Sequence, residues 1–256
     1  MQPIAPSKPA IQGMPATGAP GLTRARTCRG YDLKPQLLSA PYSPYARMVR
    51  VVAHELDLHS TIDIVPGDTW NVPARVKDAN PLGKVPTLVV GGSLIVFDSR
   101  AICDYLCGLA IGQTLLPAQG GERAAVLTMQ SLGTGLMDTM IERFLERWRP
   151  VDQQMPEVAE RLRASAWRCY DYLERASPSF EERVDLGTIA VAVALSYVSF
   201  RFPKDDWTAG RPQLSAWYGR FSHRDSMLQT VLQDLVQPEP RPDALTNSPM
   251  DDRRDK

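Results

Sequence analysis

Residues 41–55 read PYSPYARMVRVVAHE, and this stretch predicts where the first helix of the fold begins. Ser43 precedes the periodic region and is expected to be the N-cap, with Pro44 as first helical residue, because that position needs no backbone N–H. Arg47, Arg50 and His54 are expected on a polar face. Apolar side chains recur at the spacing of the other face, at Tyr45, Met48, Val49, Val52 and Leu56. On capping grounds alone, Ser43 needs no chemical role.

The segments around this helix predict a β-α-β unit followed by a hairpin and another helix. Leu37 and Leu38 are predicted to form a short strand, and STIDIV (residues 60–65) alternates apolar and polar residues as a half-buried strand does. VPTLVV and SLIVF are separated by two glycines, Gly91 and Gly92, which tolerate the positive φ of a tight hairpin turn. DSRAICDYLCGL then predicts a helix that opens at Asp98.

From about Glu122 onward every periodic segment is helical, which predicts a second, all-α domain. TIAVAVALSYVSF is apolar on all sides, but its 13 residues are too few to cross a bilayer. We expect it to be a buried central helix capped by Asp185. The predicted organisation is a disordered extension at 1–34, an α/β domain at 35–112, a linker at 113–121, a helical domain at 122–237 and a disordered tail at 238–256.

Composition excludes several classes of partner. The 256 residues carry 29 basic and 29 acidic side chains, without a basic run that would predict nucleic-acid binding. No apolar segment is long enough to predict a membrane anchor. The four cysteines are scattered, which argues against a disulfide framework and favours a reducing, cytoplasmic location. Arg24, Arg26 and Arg29 leave a transit peptide as an alternative, although five prolines in the extension oppose the helix that it needs.

Three short motifs of the first domain together predict a site for an α-amino acid head group. SPYA (residues 43–46) lies at a strand-to-helix junction. NPLGKVPTLV (residues 80–89) places Pro86 at the start of a strand, where a cis bond leaves the backbone of Val85 open to an extended peptide. FDSRAI (residues 97–102) opens a helix whose free N–H groups suit a carboxylate, while Asp98 suits an ammonium. Taken singly, each motif is also explained as a cap or a turn.

In the order found, these motifs resemble those of the glutathione S-transferase superfamily. The resemblance is carried by SPYARMVRVVAHE, NPLGKVPTLV, FDSRAICDYL and a helical half that ends in RPQLSAWYGRFSHRDSMLQT. It covers residues from about 35 to 235 and is nearest to bacterial and plant-like members with serine at the first helix. It implies a thioredoxin-like α/β domain followed by an all-α domain, the cytosolic glutathione transferase architecture.

The resemblance also implies a homodimer. In the relatives, the helices that correspond to RAICDYLCGL and RAAVLTMQSLGTGLMD pair across a two-fold axis. Gly133 and Gly135 are small residues in the second of these helices and are expected to permit the close approach.

The resemblance assigns roles to the residues of the three motifs. Ser43 matches the serine whose hydroxyl donates to the sulfur of glutathione, the co-substrate. Lys84 and Val85 match the pair that precedes the cis-proline, Pro86, and Val85 is expected to pair with the cysteinyl backbone. Asp98, with the Ser99 that follows it, matches the pair that binds the γ-glutamyl end, although glutamate is commoner than aspartate there.

A further departure from the family pattern is DLGT at residues 185–188, which inverts a common Ser/Thr-x-x-Asp cap. Serine at position 43 cannot form the mixed disulfide that a cysteine there would form, so conjugation to a small electrophile is favoured over disulfide exchange. A peroxidase side activity is expected to accompany it. The electrophile pocket is expected between the domains, lined by Met137, Ile141 and Phe144, with Trp148 as a further candidate.

Several alternatives remain at this point. Tyr42 or Tyr45 could replace Ser43 as the thiol donor, and Arg47 could help to bind the anion. No metal is expected, because Cys103 and Cys107 lack a second ligand pair at a zinc-like spacing. The fold could also serve a binding or regulatory protein without turnover, since fold alone does not determine function.

Overall fold

The computed structural model of the chain describes residues 34–68, 72–112 and 114–234. Its first part contains four short strands and three helices. The strands are β1 (Gln36–Ser39), β2 (Asp63–Pro66), β3 (Thr87–Val90) and β4 (Leu94–Val96), and the helices are α1 (Pro44–Glu55), α2 (Ala74–Ala79) and α3 (Ser99–Leu109). The predicted β-α-β unit, hairpin and following helix are confirmed.

The four strands form one mixed sheet in the order β2-β1-β3-β4. Strand β2 runs parallel to β1 and is connected to it through α1, whereas β3 pairs antiparallel with both β1 and β4. Gly91 and Gly92 have φ values of 57° and 74°, which is the left-handed region that the hairpin turn needs. Ser93 also belongs to the connection. The turn therefore has three residues, one more than the two-residue Gly-Gly turn predicted from the sequence.

Helix α2 was not predicted from the sequence. It has no side-chain N-cap, follows Pro73, and buries only Val76 against the sheet. A single buried residue in six leaves no periodic pattern to detect. The beginning of STIDIV also differs from the prediction, because residues 59–61 form a 3₁₀ turn before β2 starts at Asp63.

The second part, residues 114–234, has helices as its only regular elements, as predicted. Its helices are α4 (Gly120–Glu146), α5 (Pro156–Ala176), α6 (Leu186–Arg201), α7 (Pro212–Phe221) and α8 (Asp225–Leu228). The α/β thioredoxin-like domain followed by an all-α domain is therefore confirmed as the fold class. The extension at 1–34, apart from Lys34, and the tail at 238–256 lie outside the described residues, and the predicted domain bounds stay a prediction.

Helix α6 is the centre of the helical part. Twelve of its residues are buried, and Asp185 caps it as predicted: its Oδ1 accepts from the N–H of Thr188 at 2.8 Å, while the Thr188 hydroxyl accepts from the Asp185 N–H at 3.0 Å. Helix α4 packs closely along α6, where Gly133 faces the backbone of Ala190. Within the described ranges, no helix combines the length and hydropathy needed to span a membrane.

The prediction that Arg47 lies on a polar face of α1 is wrong. Arg47 is only 5% exposed, because α1 packs between the sheet and the helical domain and has little free surface. Its guanidinium donates to the hydroxyl of Ser196 in α6, to the Thr230 hydroxyl at 3.4 Å and to the Met227 carbonyl at 3.0 Å. Arg47 therefore joins the two domains and is not placed to bind a substrate anion.

Candidate functional site

The sheet brings the three predicted motifs to one edge. Ser43 follows the carboxyl end of β1, and Pro86 precedes the amino end of β3; these two ends are neighbours because Leu38 pairs with Thr87 in antiparallel register. Asp98 follows the carboxyl end of β4, and this end pairs with the amino end of β3, where Leu88 is opposite Val96. The three motifs, separated along the chain, therefore surround a single region of the surface.

Ser43 is the N-cap of α1, as predicted. Its Oγ accepts a hydrogen bond from the Ala46 N–H at 3.2 Å, and its own N–H donates to the Ala40 carbonyl at 3.1 Å. The hydroxyl proton has no acceptor among the described residues, so Ser43 can still donate one hydrogen bond to a ligand. No acidic side chain lies in the first turn of α1, which leaves the positive end of the helix dipole uncompensated.

Both tyrosines that flank Ser43 donate their hydroxyl protons to carboxylates. Tyr42 donates to Asp68 at 3.1 Å, and Tyr45 donates to Asp138 of α4. Burial and the Asp138 carboxylate raise the pKa of Tyr45 well above its usual value, so this phenol stays protonated at neutral pH. Both phenol protons are thus donated to carboxylates, whereas the hydroxyl proton of Ser43 has no acceptor among the described residues.

The Val85–Pro86 peptide bond is cis, as expected from the sequence. Neither the N–H nor the C=O of Val85 is hydrogen-bonded within the described part of the chain, so both remain open to an extended peptide. Val85 itself is buried in a small apolar cluster with Leu38 and Val76, which holds its backbone in place. The side chain of Lys84 is exposed beside it.

Asn80 holds this loop, a role that was not predicted from the sequence. Its amide nitrogen donates to the Lys84 carbonyl and to the Thr87 hydroxyl, both at 3.1 Å, while its carbonyl oxygen accepts from the Leu82 N–H at 3.0 Å. Thr87 in turn donates to the Lys84 carbonyl at 3.0 Å. The asparagine is 2% exposed, and the signal that could have found it is its place at the start of the NPLGKVP loop.

Asp98 and Ser99 open α3 as predicted. Asp98 Oδ1 accepts from the N–H groups of Arg100 and Ala101, at 3.0 and 3.4 Å. The other carboxylate oxygen lies 3.4 Å from the Arg100 guanidinium, and the side chain is 59% exposed, so it remains accessible to an ammonium group. Ser99 is buried at the first position of the helix. The expected pairing of an acidic and a hydroxyl side chain at a helix N-terminus is present, while its ligand stays a prediction.

The residues expected to line the electrophile pocket lie inside or at the edge of the helical core, and the pocket itself stays a prediction. Met137 has no exposed surface, because that face of α4 packs inside the helical core, and it therefore lines no accessible pocket in this structure. Ile141 and Phe144 are half-buried at the edge of the same core. The ring of Phe144 lies 5.5 Å from that of Trp148, centroid to centroid, so these two aromatic residues do come together.

The segment after α8 approaches the site from the helical domain, which the sequence did not predict. The N–H of Gln233 donates to the carbonyl of Pro41 at 3.2 Å, two residues before Ser43. Arg50 donates to the Gln229 carbonyl at 3.3 Å, and Leu232 is buried. Residues 229–233 thus hold the turn between β1 and α1 from outside the first domain.

The cysteines that the structure describes form no reactive or metal-binding centre. Cys103, Cys107 and Cys169 are free thiols, and burial raises the pKa of each, that of Cys107 to about 11. Across residues 34–68, 72–112 and 114–234, no group of three or more His, Cys, Asp or Glu side chains could hold a metal ion. The absence of a metal requirement stays a prediction.

Two family sequence models match the chain. The model described as "Glutathione S-transferase, N-terminal domain" matches residues 42–109, and the one described as "Glutathione S-transferase, C-terminal domain" matches residues 156–220. The first match contains all three motifs that meet at the edge of the sheet.

Individual proteins are similar over most of the chain. It is 29% identical over 198 residues to the uncharacterized GST-like protein YibF of Escherichia coli K12, covering 76% of this chain and 97% of that protein. It is 32% identical to a glutathione transferase family member of Pseudomonas fluorescens Pf-5 with bound glutathione, at a TM-score of 0.75, covering 78% of this chain and 100% of that one. A second Pf-5 structure, with bound S-(propanoic acid)-glutathione, has the same identity and coverages and a TM-score of 0.73.

Proposed function

Because this chain belongs to the glutathione S-transferase superfamily, we propose that it acts as a glutathione transferase on small hydrophobic electrophiles. The observation that carries the proposal is the hydrogen bonding of Ser43. Its oxygen caps α1 as an acceptor, while its proton has no acceptor among the described residues and can be donated to a sulfur.

Glutathione would bind along the edge where the three motifs meet. The open N–H and C=O of Val85 would pair with the cysteinyl backbone, beside Lys84 and Pro86. Asp98 would bind the γ-glutamyl ammonium, and the N-terminus of α3 at Ser99 would bind its carboxylate. Glutathione bound to the similar Pseudomonas protein supports glutathione as the ligand.

The chemistry requires the thiolate. A free thiol has a pKa near 8.5, so only a few per cent of glutathione is ionised at pH 7. A hydrogen bond from Ser43 and the positive end of α1 stabilise the anion, and the proton leaves to solvent. The thiolate then attacks the electrophilic carbon of a substrate held between the domains, beside Ile141 and Phe144. S-(propanoic acid)-glutathione in the Pseudomonas relative supports a site with space for a substituent on sulfur.

The proposal is tested by retention on immobilised glutathione, followed by assays with a chlorinated nitrobenzene and an organic peroxide. Retention with turnover of the first supports the transferase, and turnover of the second would add the peroxidase side activity. A protein that is retained but turns over nothing in a varied electrophile panel would instead be a glutathione-fold binding or regulatory protein.

We also propose that the protein is a homodimer in the cytoplasm. The free thiols of Cys103, Cys107 and Cys169 suit a reducing compartment. The expected dimer contact uses α3 and the first half of α4, where Gly135 faces open space in the single chain. Gly133 is not available for that contact, since it packs against α6 of its own chain. Sedimentation as a monomer at micromolar concentration would contradict the dimer.

A further inference from the structure

Arg201, the last residue of α6, is paired with the segment that contacts the turn before Ser43. Its Nη1 donates to the carboxylate of Asp234 at 2.6 Å, and the N–H of the neighbouring Gln233 donates to the carbonyl of Pro41 at 3.2 Å. Since consecutive Cα atoms are about 3.8 Å apart, the guanidinium lies at most about 14 Å from that carbonyl. Arg201 therefore lies at the end of the helical domain whose chain contacts the turn before Ser43, within reach of a ligand that extends from that turn.

Aromatic rings surround the Arg201 guanidinium. Its central carbon lies 4.6 Å from the ring centroid of Phe144, 4.4 Å from that of Phe200 and 6.0 Å from that of Tyr197. The Arg201 side chain is only 10% exposed. The rings exclude water and lower the local dielectric, so an anion that meets this guanidinium is bound more strongly than one in solvent.

The hydrogen-bonding capacity of Arg201 is only partly used. Its Nε is buried and has no hydrogen-bond partner in the described ranges. Its carboxylate partner, Asp234, is 55% exposed, so this aspartate can turn to water at little cost. A guanidinium offers a planar fork of N–H groups that fits a carboxylate. Arg201 can therefore bind the carboxylate of a ligand in addition to Asp234. It can also bind that carboxylate in place of Asp234.

The charges around Arg201 favour an anion. Arg143 is neutralised by an ion pair with Asp205. Arg147, by contrast, lies over the ring of Phe202 and donates to the Arg201 carbonyl, with no carboxylate partner within the described part of the chain. This leaves the region with a net positive charge next to apolar rings, an environment suited to a ligand that combines a carboxylate with a planar apolar body.

We propose that Arg201 binds a carboxylate of the second substrate, so that the preferred electrophiles are anionic molecules whose planar body packs on Phe144. Asp234 occupies the guanidinium until such a substrate displaces it. This inference rests on the proposed function, because it specifies the substrate class of the same site. The sequence pattern does not single out Arg201, since one arginine at the end of an apolar helix is equally explained as a charge that stabilises the helix C-terminus.

A matched pair of probes isolates the carboxylate: 4-chloro-3,5-dinitrobenzoate and 4-chloro-3,5-dinitrobenzamide. The reaction is the same for both. The glutathione thiol loses its proton to water, the sulfur electron pair forms a bond to the ring carbon that bears chlorine, and chloride leaves with the electron pair of the broken C–Cl bond. The products are the aryl thioether, chloride and a proton, so no other reactant is needed.

The measurement is kcat/KM for each probe, divided by the uncatalysed rate of that probe with glutathione. The preference is this corrected value for the benzoate divided by the value for the benzamide. We expect the protein to favour the benzoate about ten- to a hundredfold, as one charge-assisted contact in a water-poor site allows. Arg201→Met should bring that preference to about one, and Arg201→Lys to an intermediate value. Asp234→Asn, a change at an exposed side chain, should increase the preference several-fold. Equal preferences in the parent protein and Arg201→Met would overturn the proposal.

Arg168→Met is the matched control, because it removes the same charge from an exposed position on α5 that has no part in the proposed site, and it should leave the preference within a factor of about two. Calorimetric binding of the two purified S-aryl glutathione products separates this inference from the proposed function. A tighter carboxylate product without turnover supports the Arg201 site and contradicts the transferase. Equal affinity for the two products contradicts the Arg201 site alone, and failure to bind either product or glutathione contradicts both.

Discussion

The hydroxyl of Tyr45 in α1 donates its proton to the carboxylate of Asp138 in α4, a hydrogen bond that spans the two domains. Since burial and this carboxylate raise the pKa of Tyr45, the phenol contributes no ionisation to the neutral pH range. Tyr45→Phe should therefore keep turnover within a factor of about three and lower the free energy of unfolding by about 1 kcal/mol. Steady-state kinetics and urea denaturation measure the two effects. A loss of turnover above tenfold would assign thiol activation to Tyr45.

Replacement of Ser43 by Ala should lower turnover about ten- to a hundredfold at pH 7, because one hydrogen bond to the thiolate is lost. Glutathione affinity should persist, since Val85, Asp98 and Ser99 bind parts remote from sulfur, and activity should recover near pH 9. Ser43→Gly removes the same hydroxyl but costs the helix cap only a few tenths of a kcal/mol. Equal kinetic losses in both variants would separate catalysis from capping; unchanged activity in both would leave Ser43 as a cap alone.

Gly133→Ala should destabilise the protein by about 1–3 kcal/mol, because overpacking forces backbone shifts between helices. A Cβ at this position would lie 2.6 Å from the carbonyl carbon of Ala190, a backbone atom that no rotamer change can move. Gly219→Ala is the control: its Cβ meets nothing within 4 Å, and helix propensity predicts a gain of about 1 kcal/mol. Thermal denaturation of the two variants should give changes of opposite sign.

Arg47→Lys should lower the free energy of unfolding by roughly 1–3 kcal/mol, because one ammonium cannot replace three hydrogen bonds of a planar guanidinium. Burial lowers the pKa of Arg47 to about 10, so the charge is present at pH 7 without a carboxylate to offset it in the described structure. Arg47→Met removes that charge and should cost less than Arg47→Lys. The reverse order would contradict this account. Arg163→Lys, in an exposed pair with Glu160, is the control and should change little.

Glu55 should make stability depend on acid pH. Burial raises the pKa of Glu55, but hydrogen bonds from Arg224 and Ser226 outweigh it, so the pKa is lower in the folded state than in the unfolded chain. The ionised Glu55 therefore adds to the free energy of unfolding. This added stability is fully present above the unfolded pKa of about 4.3 and is lost as the pH falls through the folded pKa.

Glu55→Gln should therefore lower the free energy of unfolding by about 1 kcal/mol at pH 7, a modest value because Arg224 is partly exposed. The loss should become progressively smaller below pH 4. Urea denaturation at several pH values measures the difference from the parent protein. A constant difference between pH 7 and pH 3 would contradict the linkage. Glu160→Gln, which breaks an exposed pair, is the control and should show almost no difference at either pH.

Local sequence patterns were sufficient to predict most elements and all three motifs of the candidate site. The caps of Ser43, Asp98 and Asp185 depend on residues within three positions, so their signals are complete in the sequence. The strands around α1 and the hairpin are likewise predicted by alternation and by the two glycines of the turn. Helix α2 escaped prediction because its contact with the sheet uses one side chain, Val76.

Only the tertiary structure decided which side chains these elements bury and against what. A helical period identifies an apolar face but not the partner that covers it, so Arg47 was expected at the surface and Met137 in an open pocket, whereas both are buried. Gly133 packs against its own chain, since α4 and α6 approach closely. The contact of Arg201 with Asp234 joins residues 33 positions apart, and no local pattern encodes such a pair, because long-range contacts arise when all elements pack together.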